Sequence, residues 1–351
     1  MAEENGRARG RQGGRGAGRG DERRRNRAEE AAAHVAEMHD RFGAEIARAV
    51  KDAKFYDSVP KAGAATKPAV KSSEARDVEG PTAGDPGEAP EAETPEAAAP
   101  QADLPTVTVV DQDSVAAVIE RGRGIASACD LAVLDFASFT YPGGAYLRGS
   151  MAQEEALCAE SFLYNALGQF KGWYAENRRR NVNCELYRDR GLVVPAVRFT
   201  RGKLHAYADV LVVAAPNARR AREDYGVSDA ALDAALRDRV RFVLALADET
   251  GREKLVLGAF GCGVFGWDAE RVAEAFRAEL ARGGHVAREV VFAVPSSRHD
   301  DNLATFQHVL GAFPEAPSES YAEAARRAAE ARADAAADAE DDDDDDWRRY
   351  L

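Results

Sequence analysis

Two adjacent glutamates, Glu154 and Glu155, follow Gln153 and stand shortly after a glycine-containing loop. The segment reads YPGGAYLRGSMAQEE over residues 141–155 and comes after an apolar run that ends at Phe136. Backbone amides at a helix start lower the pKa of a carboxyl group, whereas a neighbouring carboxylate and exclusion of water raise it. One of the two glutamates could therefore hold hydroxyl groups while the other carries a proton. Cleavage of a glycosidic bond requires such a proton carrier at the leaving group, followed by activation of water.

The same triplet also has a purely structural interpretation. Ser150 and Gln153 match the S-x-x-Q spacing of a helix capping box, which would give Gln153 a role at a helix start. Acidic residues in the first turn of any helix are also stabilised by the helix macrodipole. From the residues alone, a catalytic carboxylate pair and an ordinary helix start both remain open.

A second glycine-rich segment, GAFGCGVFG at residues 258–266, directly follows the apolar run LVL. Its four glycines allow backbone N–H groups to turn toward a ligand, and consecutive amides form an anion-binding concavity. A helix starting near Asp268 would add the positive end of its dipole. The absence of GK[ST] excludes a nucleoside-triphosphate loop, and the GxGxxG match also fits a tight strand-to-helix turn. Two glycine loops at strand ends would suit a diphosphate, with Arg148 of the first loop interpreted as a solvated residue.

These loops must be positioned by an alternation of strands and helices that fills residues 104–313. The predicted strands cover 106–110, 131–136, 192–194, 208–214, 254–259 and 288–294. The predicted helices cover 114–121, 152–167, 229–249, 268–281 and 300–310. Several strands are continuous apolar runs, as expected when both faces are covered, so the pattern predicts an α/β domain of three layers. Ligands bind such sheets beyond the carboxyl ends of the strands.

The flanks differ from this domain in composition. Residues 1–27 contain nine arginines against four acidic residues and are predicted to be a disordered RG-rich basic arm, either a nucleic-acid contact or a solubilising tail. Residues 28–58 are predicted to be an accessory helical segment whose apolar stripe docks on the main domain. Residues 59–103 are a Pro/Ala/Glu-rich linker. Residues 314–351 are an acidic tail, which self-repulsion would keep solvated.

The remaining composition narrows the class of protein. The four cysteines show no CxxC pair, and the scattered histidines, such as His205, lack metal-ligand spacing, so no metal and no cofactor are predicted. No apolar run reaches the roughly 20 residues of a membrane span, and no signal peptide is recognisable. We therefore expect a soluble cytoplasmic protein with reduced thiols and no membrane partner.

Taken together, the motifs resemble the bacterial-type poly(ADP-ribose) glycohydrolases, a family with a macrodomain-like fold. The family signature of three glycines, six to eight residues and QEE reads here as Gly143-Gly144-Ala145, seven residues, then QEE. The loop GAFGCGVFG and the segment AAPNA at 214–218 also resemble family motifs. The resemblance implies a three-layer α/β/α fold with a mixed central sheet, N-terminal accessory helices and disordered tails. It also implies ADP-ribose or ADP-ribosylated proteins as partners.

The resemblance further implies a role for each matching position. Glu155 would be the catalytic acid/base, and Glu154 would hold ribose hydroxyls. The expected binding residues are Gly143, Gly144, Ala145, Gln153, Asn217, Gly261, Cys262, Gly263, Val264, Phe265 and Gly266. Two positions depart from the family pattern: Tyr141 replaces the usual asparagine, and Ala145 replaces the third glycine, where a positive φ and a close approach to ligand were expected.

The leading hypothesis is a glycohydrolase that releases ADP-ribose from ADP-ribosylated proteins. The alternatives are a non-catalytic ADP-ribose reader and a nucleic-acid-associated scaffold that uses the basic arm. The departures at Tyr141 and Ala145 make ADP-ribose binding a firmer expectation than activity on the polymer.

Overall fold

The computed structural model describes residues 14–60 and 104–346. Within them lies a mixed seven-stranded sheet in the order β1-β4-β5-β3-β6-β7-β2. The strands are β1 (Lys54–Tyr56), β2 (Thr106–Val110), β3 (Leu131–Phe136), β4 (Gly191–Arg201), β5 (Leu204–Val213), β6 (Lys254–Leu257) and β7 (Glu289–Ala293). β1 and β5 pair antiparallel with β4, and the remaining pairs are parallel. The mixed sheet confirms the predicted fold class.

Helices cover both faces of the sheet. They are α1 (Gly14–Asp52), α2 (Ser114–Arg121), α3 (Gln153–Ala159), α4 (Leu163–Leu167), α5 (Lys171–Arg180), α6 (Ala218–Tyr225), α7 (Asp229–Thr250), α8 (Ala269–Leu280), α9 (Asn302–Leu310) and α10 (Tyr321–Asp346). One apolar cluster joins the sheet to α7, α8 and α9, and a second joins the opposite face to α1, α2, α3 and α4. These two buried clusters are the two interfaces of a three-layer α/β/α domain.

The adjacent parallel strands β3 and β6 fix where the two glycine loops meet. Ala132 of β3 pairs with Leu255 of β6 on one side and with Asp209 of β5 on the other. The residues of β3 up to Asp135 and the final three of β6 are buried, as their apolar runs predict for strands covered on both faces. Because these strands run in the same direction, the loops that follow them leave the sheet at one edge.

Several predicted elements differ from the observed ones. The single helix predicted over 152–167 is interrupted, because Ser161 Oγ donates to Leu157 O at 2.6 Å and accepts from Leu163 N at 3.0 Å. The strand predicted over 192–194 is much longer, and β1 falls inside the segment predicted to be helical. Helices α5, α6 and α10 were not predicted.

Parts of both predicted tails are helical where the structure describes them. Helix α1 already includes residues 14–27, and α10 extends through the acidic run to Asp346. Residues 1–13 of the arm, most of the linker and residues 347–351 lie outside the described residues. The arginines and glutamates of these segments are compatible with helix because straight-chain side chains lose little freedom there.

The apolar stripe of α1 docks on the domain, as its spacing predicts. Met38 and Ile46 are buried, and Val35, Phe42 and Val50 pack against the same cluster. The helix changes direction at Phe42, whose backbone is not helical (φ −127°). This break keeps both halves of a long helix in contact with the sheet layer beneath.

Candidate active site

A cavity of about 790 Å³ lies beyond the carboxyl ends of the parallel strands. Its walls come from segments that follow β2, β3, β6 and β7, together with the first turn of α3. The cavity is thus at the edge where ligands bind open α/β sheets. Both members of the carboxylate pair, Glu154 and Glu155, line it, although each side chain is largely buried.

Glu155 is held by two backbone N–H groups from the loop before its helix. Ala145 N–H donates to Oε1 at 2.8 Å, and Ala152 N–H donates to Oε2 at 2.9 Å. The second contact satisfies one of the unpaired donors at the start of α3. Each carboxylate oxygen retains a lone pair, so Glu155 is fixed in orientation and can still accept or carry a proton.

Glu154 has a different environment. Its Oε2 accepts a hydrogen bond from Ser138 N–H at 2.7 Å, whereas its buried Oε1 has no partner among the described residues. Burial and the neighbouring Asp135 raise the pKa of Glu154, and the N–H groups of Ser138 and Gly143 only partly oppose this. An unpartnered acceptor on a residue that lines a cavity is available to a ligand hydroxyl.

A third carboxyl group, Asp135, lies beneath this pair. It is fully buried in β3, and neither of its oxygens has a hydrogen-bond partner in the described part of the chain. Burial raises its pKa, and the charge of Glu155 raises it further. Asp135 was not predicted as a site residue because it occupies the fifth place of the apolar run LAVLDF and belongs to no motif.

Gln153 connects α3 to the end of β3. Its Oε1 accepts from Phe136 N–H at 2.9 Å, while its Nε2 donates to Leu134 O at 2.9 Å and to Ser114 Oγ at 3.1 Å. The capping-box interpretation of Gln153 is therefore wrong. It required Ser150 to cap the helix, whereas the cap of α3 is Ala152 and Gln153 is its first residue. Gln153 instead provides hydrogen-bond partners for the backbone at the end of β3.

Gly144 must be a glycine for a specific geometric reason. Its φ is +57°, and a Cβ there would lie 2.7 Å from Glu155 Oε1 and 2.8 Å from Glu154 Oε2. Gly143 also has a positive φ, of +62°. Ala145, by contrast, has φ −112°, so the expectation of a positive φ at the third glycine position is wrong here and alanine causes no backbone strain.

The second glycine loop presents unused backbone donors. The N–H groups of Gly261, Gly263, Val264 and Phe265 donate to no acceptor within residues 14–60 and 104–346. Adjacent unpaired amides of this kind form an anion site. Both loops were expected to cradle a diphosphate. The first loop does not match this expectation, because its N–H groups already donate to Glu154, Glu155 and Tyr141 O.

Aromatic side chains form one wall of the cavity. Phe139 stacks on Tyr187 with ring centroids 4.5 Å apart, and Phe265 meets Tyr187 edge-on at 6.1 Å. Tyr187 belongs to a turn in which Asn183, Cys184, Glu185 and Tyr187 all have positive φ. Such strained backbone clusters at functional sites, and the turn had no recognisable sequence pattern.

The other predicted residues are distributed around the cavity. Gly261, Gly263, Val264 and Phe265 line it, whereas Gly143, Asn217, Cys262 and Gly266 lie behind the lining. Asn217 caps α6 by accepting from Arg220 N–H at 3.2 Å. Tyr141, one of the two departures, lines the mouth, where its ring lies under the guanidinium groups of Arg148 and Arg178.

Residues 14–60 and 104–346 contain neither a metal-binding cluster nor a membrane-spanning helix. No group of three or more His, Cys, Asp or Glu side chains has a geometry suited to a metal ion. No helix there combines the length and apolar character needed to cross a membrane.

Comparisons with known proteins agree with this geometry. Residues 29–202 match a family model described as microbial-type PARG, catalytic domain. The poly(ADP-ribose) glycohydrolase of Thermomonospora curvata bound to the inhibitor ADP-HPD is 28% identical, with a TM-score of 0.58, and the match covers 80% of this chain and 98% of that chain. The poly(ADP-ribose) glycohydrolase of Deinococcus radiodurans in complex with ADP-ribose is 32% identical, with a TM-score of 0.53, covering 59% of this chain and 85% of that chain. The comparison with curated proteins found no match.

Proposed function

Because this chain belongs to the microbial-type poly(ADP-ribose) glycohydrolase family, we propose that it hydrolyses the ribose glycosidic linkage of ADP-ribosylated proteins and releases ADP-ribose. The observation that carries the proposal is the position of Glu155. Two backbone N–H groups aim its carboxylate into a cavity whose opposite loop offers unpaired amides. A sugar joined to a diphosphate would engage both features at once.

The diphosphate is assigned to the second glycine loop. The unpaired amides of Gly263, Val264 and Phe265 would donate to phosphate oxygens, and adjacent N–H groups bind anions well because their dipoles converge. Gly263 has open space around its Cα, since nothing lies within 4 Å of a Cβ built there. The bound phosphates would therefore approach the backbone closely and fix the distal ribose toward α3.

Glu155 is proposed as the general acid and base. In its protonated form it would transfer the proton to the leaving oxygen while the bond from the ribose anomeric carbon breaks through an oxocarbenium-like transition state. The resulting carboxylate would then accept a proton from the water that attacks the anomeric carbon. Its two backbone N–H contacts hold one orientation through both steps.

Glu154 is proposed to hold the ribose hydroxyls. Glu154 lines the cavity, its buried Oε1 has no partner among the described residues, and its Oε2 accepts from Ser138 N–H. Hydrogen bonds that orient the sugar ring place the anomeric carbon near Glu155, and correct placement contributes a large share of such rate enhancements. The aromatic wall of Phe139, Tyr187 and Phe265 would exclude water from the other side.

The substitution Glu155→Gln tests the assignment. We expect release of ADP-ribose from ADP-ribosylated protein to fall by at least about a hundredfold, because the amide cannot carry the proton. Affinity for ADP-ribose, measured by calorimetry, should change little. Glu45→Gln serves as the matched control, since Glu45 of α1 accepts from Tyr207 OH of β5 and does not line the cavity.

Two results would contradict this function. Equal release by the wild type and Glu155→Gln would remove Glu155 from the mechanism. If both proteins bound ADP-ribose and neither released it from mono- or poly-ADP-ribosylated substrate, the protein would be a non-catalytic reader.

A further inference from the structure

A second cavity, of about 610 Å³, adjoins the catalytic one on the outer side of the loop that holds Glu155. It is lined by Arg24, Arg25 and Ala28 of α1, by Arg148 and by one acidic residue, Asp21. Arg148 lines both cavities. A ligand that filled the catalytic cavity and extended past this loop would enter the second cavity, which we call the arginine cleft.

The cleft is held against the catalytic loop by α1. Arg24 Nε donates to Arg148 O, and Arg27 Nε donates to Gly149 O, each at 2.9 Å. Gly149 has φ +72°, and a Cβ on it would lie 2.1 Å from Arg24 O, so the helix and the turn are in close contact. Two side-chain-to-backbone hydrogen bonds and one close backbone contact therefore fix this part of α1 against the turn that follows the Glu155 loop.

Positive charge in and beside the cleft exceeds the single negative charge that Asp21 contributes to its lining. Arg24, Arg25, Arg148 and Arg178 are exposed, and none forms an ion pair within the described residues. Arg148 and Arg178 lie over the Tyr141 ring at 5.7 and 5.1 Å, which extends the basic surface to the cavity mouth. Four guanidinium groups and an aromatic face suit a phosphodiester-like anion joined to a base.

The arginine cleft adjoins the turn that follows the backbone contact to Glu155. Ala145 N–H holds Glu155, and the residues that follow Ala145 form the turn Tyr146–Arg148 that separates Glu155 from the arginines. Glu155 must contact the oxygen of the leaving group to protonate it. The part of the substrate beyond that oxygen would then pass over this turn.

We propose that the arginine cleft is a second anion-binding subsite, which holds the diphosphate of the ADP-ribose unit on the leaving-group side of the scissile bond. The inference rests on the proposed function and extends it to the substrate class: polymer chains would gain contacts that a single ADP-ribosyl group on a protein does not provide. Tyr141 would contribute a stacking face for the adenine of that unit.

The substitution Arg25→Glu tests the subsite without disturbing the docking of α1. Arg25 lines the cleft and not the catalytic cavity, and no hydrogen bond of its side chain is present among the described residues. Arg23→Glu is the matched control, because Arg23 is an exposed arginine of the same helix that lines neither cavity. Arg25→Lys retains the charge.

Turnover is measured on a mono-ADP-ribosylated protein and on poly(ADP-ribose) of defined length. Affinity is measured for that polymer, together with its salt dependence, and for single-stranded RNA and duplex DNA. We expect Arg25→Glu to weaken polymer affinity by about tenfold and to lower the log–log salt slope by about one, as loss of one phosphate contact does. Arg25→Lys should retain most of the affinity. Turnover of the mono-ADP-ribosylated protein should be the same in wild type, Arg23→Glu and Arg25→Glu.

The outcomes separate this inference from the proposed function. Equal polymer affinity of Arg25→Glu and Arg23→Glu, in proteins that still release ADP-ribose, would overturn the subsite and leave the function intact. Loss of affinity for single-stranded RNA or duplex DNA with unchanged polymer affinity would assign the cleft to nucleic acid and overturn the subsite too. A wild type that neither binds nor releases ADP-ribose would remove both.

Discussion

Three carboxyl groups lie together at the candidate site, and their environments separate them. Glu155 receives two N–H groups, Glu154 receives one on Oε2, and Asp135 receives none within the described chain. A buried carboxylate without partners is strongly disfavoured, so the group responds by remaining protonated. Burial accordingly raises the pKa of Asp135 and of Glu154. It also raises the pKa of the adjacent Cys158 thiol and of the Tyr174 hydroxyl.

The substitution Asp135→Asn should increase stability at neutral pH. The unfolded aspartate ionises near pH 4 while the folded one stays protonated, so the wild type loses stability as pH rises from about 4 toward the raised folded pKa. Asparagine does not titrate and avoids this loss. The difference in unfolding free energy should be small at pH 4 and should grow by up to about 1.4 kcal/mol per pH unit above it. Denaturant unfolding at several pH values measures it.

Asp130→Asn provides a control of opposite sign. Although burial opposes the change, hydrogen bonds from Lys254 and Arg123 lower the pKa of Asp130, so its stabilisation is present above pH 4 and is lost as pH falls. This variant should be less stable than the wild type at pH 7, with the difference shrinking toward pH 3. An Asp135→Asn protein that lost stability at pH 7 would show that the native Asp135 is ionised.

The contrast between Glu155 and Asp135 shows what residue patterns can reveal. Glycines followed by QEE indicate Glu154 and Glu155 as candidate site residues, because a positive φ and paired carboxylates require particular residue types. Asp135 was not identified, since one acidic residue at the end of an apolar run also fits an exposed strand end. Tyr187 was missed because its place in the cavity depends on a left-handed turn between elements.

At the scale of elements, the Gln153 side chain ties the start of α3 to the sheet. Gln153 replaces the missing strand partners of Phe136 and Leu134 and contacts Ser114 at the start of α2. These three hydrogen bonds join the end of β3 to two helix starts. The orientation of Glu154 and Glu155 relative to the sheet thus depends on a residue that does not act on the substrate in our proposal.

We expect Gln153→Ala to lower the free energy of unfolding by about 1–3 kcal/mol, because it leaves buried backbone groups unsatisfied. Turnover should fall more than ADP-ribose affinity, since the carboxylates shift while the second glycine loop remains. Steady-state kinetics with calorimetry on the same protein separates the two effects. Gln169→Ala is the control, because Gln169 makes one long contact of 3.5 Å, to Asn165 O. Equal loss of affinity and turnover in Gln153→Ala would argue against a positioning role.

Element boundaries were predicted well where an apolar run decides them and poorly where a side chain does. The run LAVLDF gave β3 to the residue, and α2 was also predicted with its observed limits. The helix through residues 152–167 is divided because Ser161 bonds its own backbone and Glu160 O accepts from Thr200 N–H at 2.7 Å. That second partner is distant in sequence, so local periodicity could not indicate the break.

At the scale of the whole molecule, we propose that α1 is a part of the catalytic unit and not an accessory to it. Asn165 Nδ2 donates to Val35 O at 2.8 Å, and a hydrogen bond of 3.0 Å joins His34 to Tyr146 OH beside the catalytic loop. Burial lowers the pKa of His34, which keeps this contact uncharged. The matched family region also begins within α1, at residue 29. The apolar stripe predicted this docking, but nothing local indicated that the helix would reach the active-site loop.

The substitution Met38→Ala tests this coupling. Met38 is 3% exposed in the cluster between α1 and the sheet, so its truncation should cost about 2–5 kcal/mol. If α1 belongs to the unit, hydrogen exchange should increase together in α1 and in the Tyr146–Arg148 turn, and turnover should fall at temperatures where the wild type is active. Leu204→Ala, at a residue 65% exposed, should change neither. Increased exchange confined to α1, with turnover unchanged, would show instead that the helix is a separable attachment, because the loop that orients Glu155 would then hold its geometry without it.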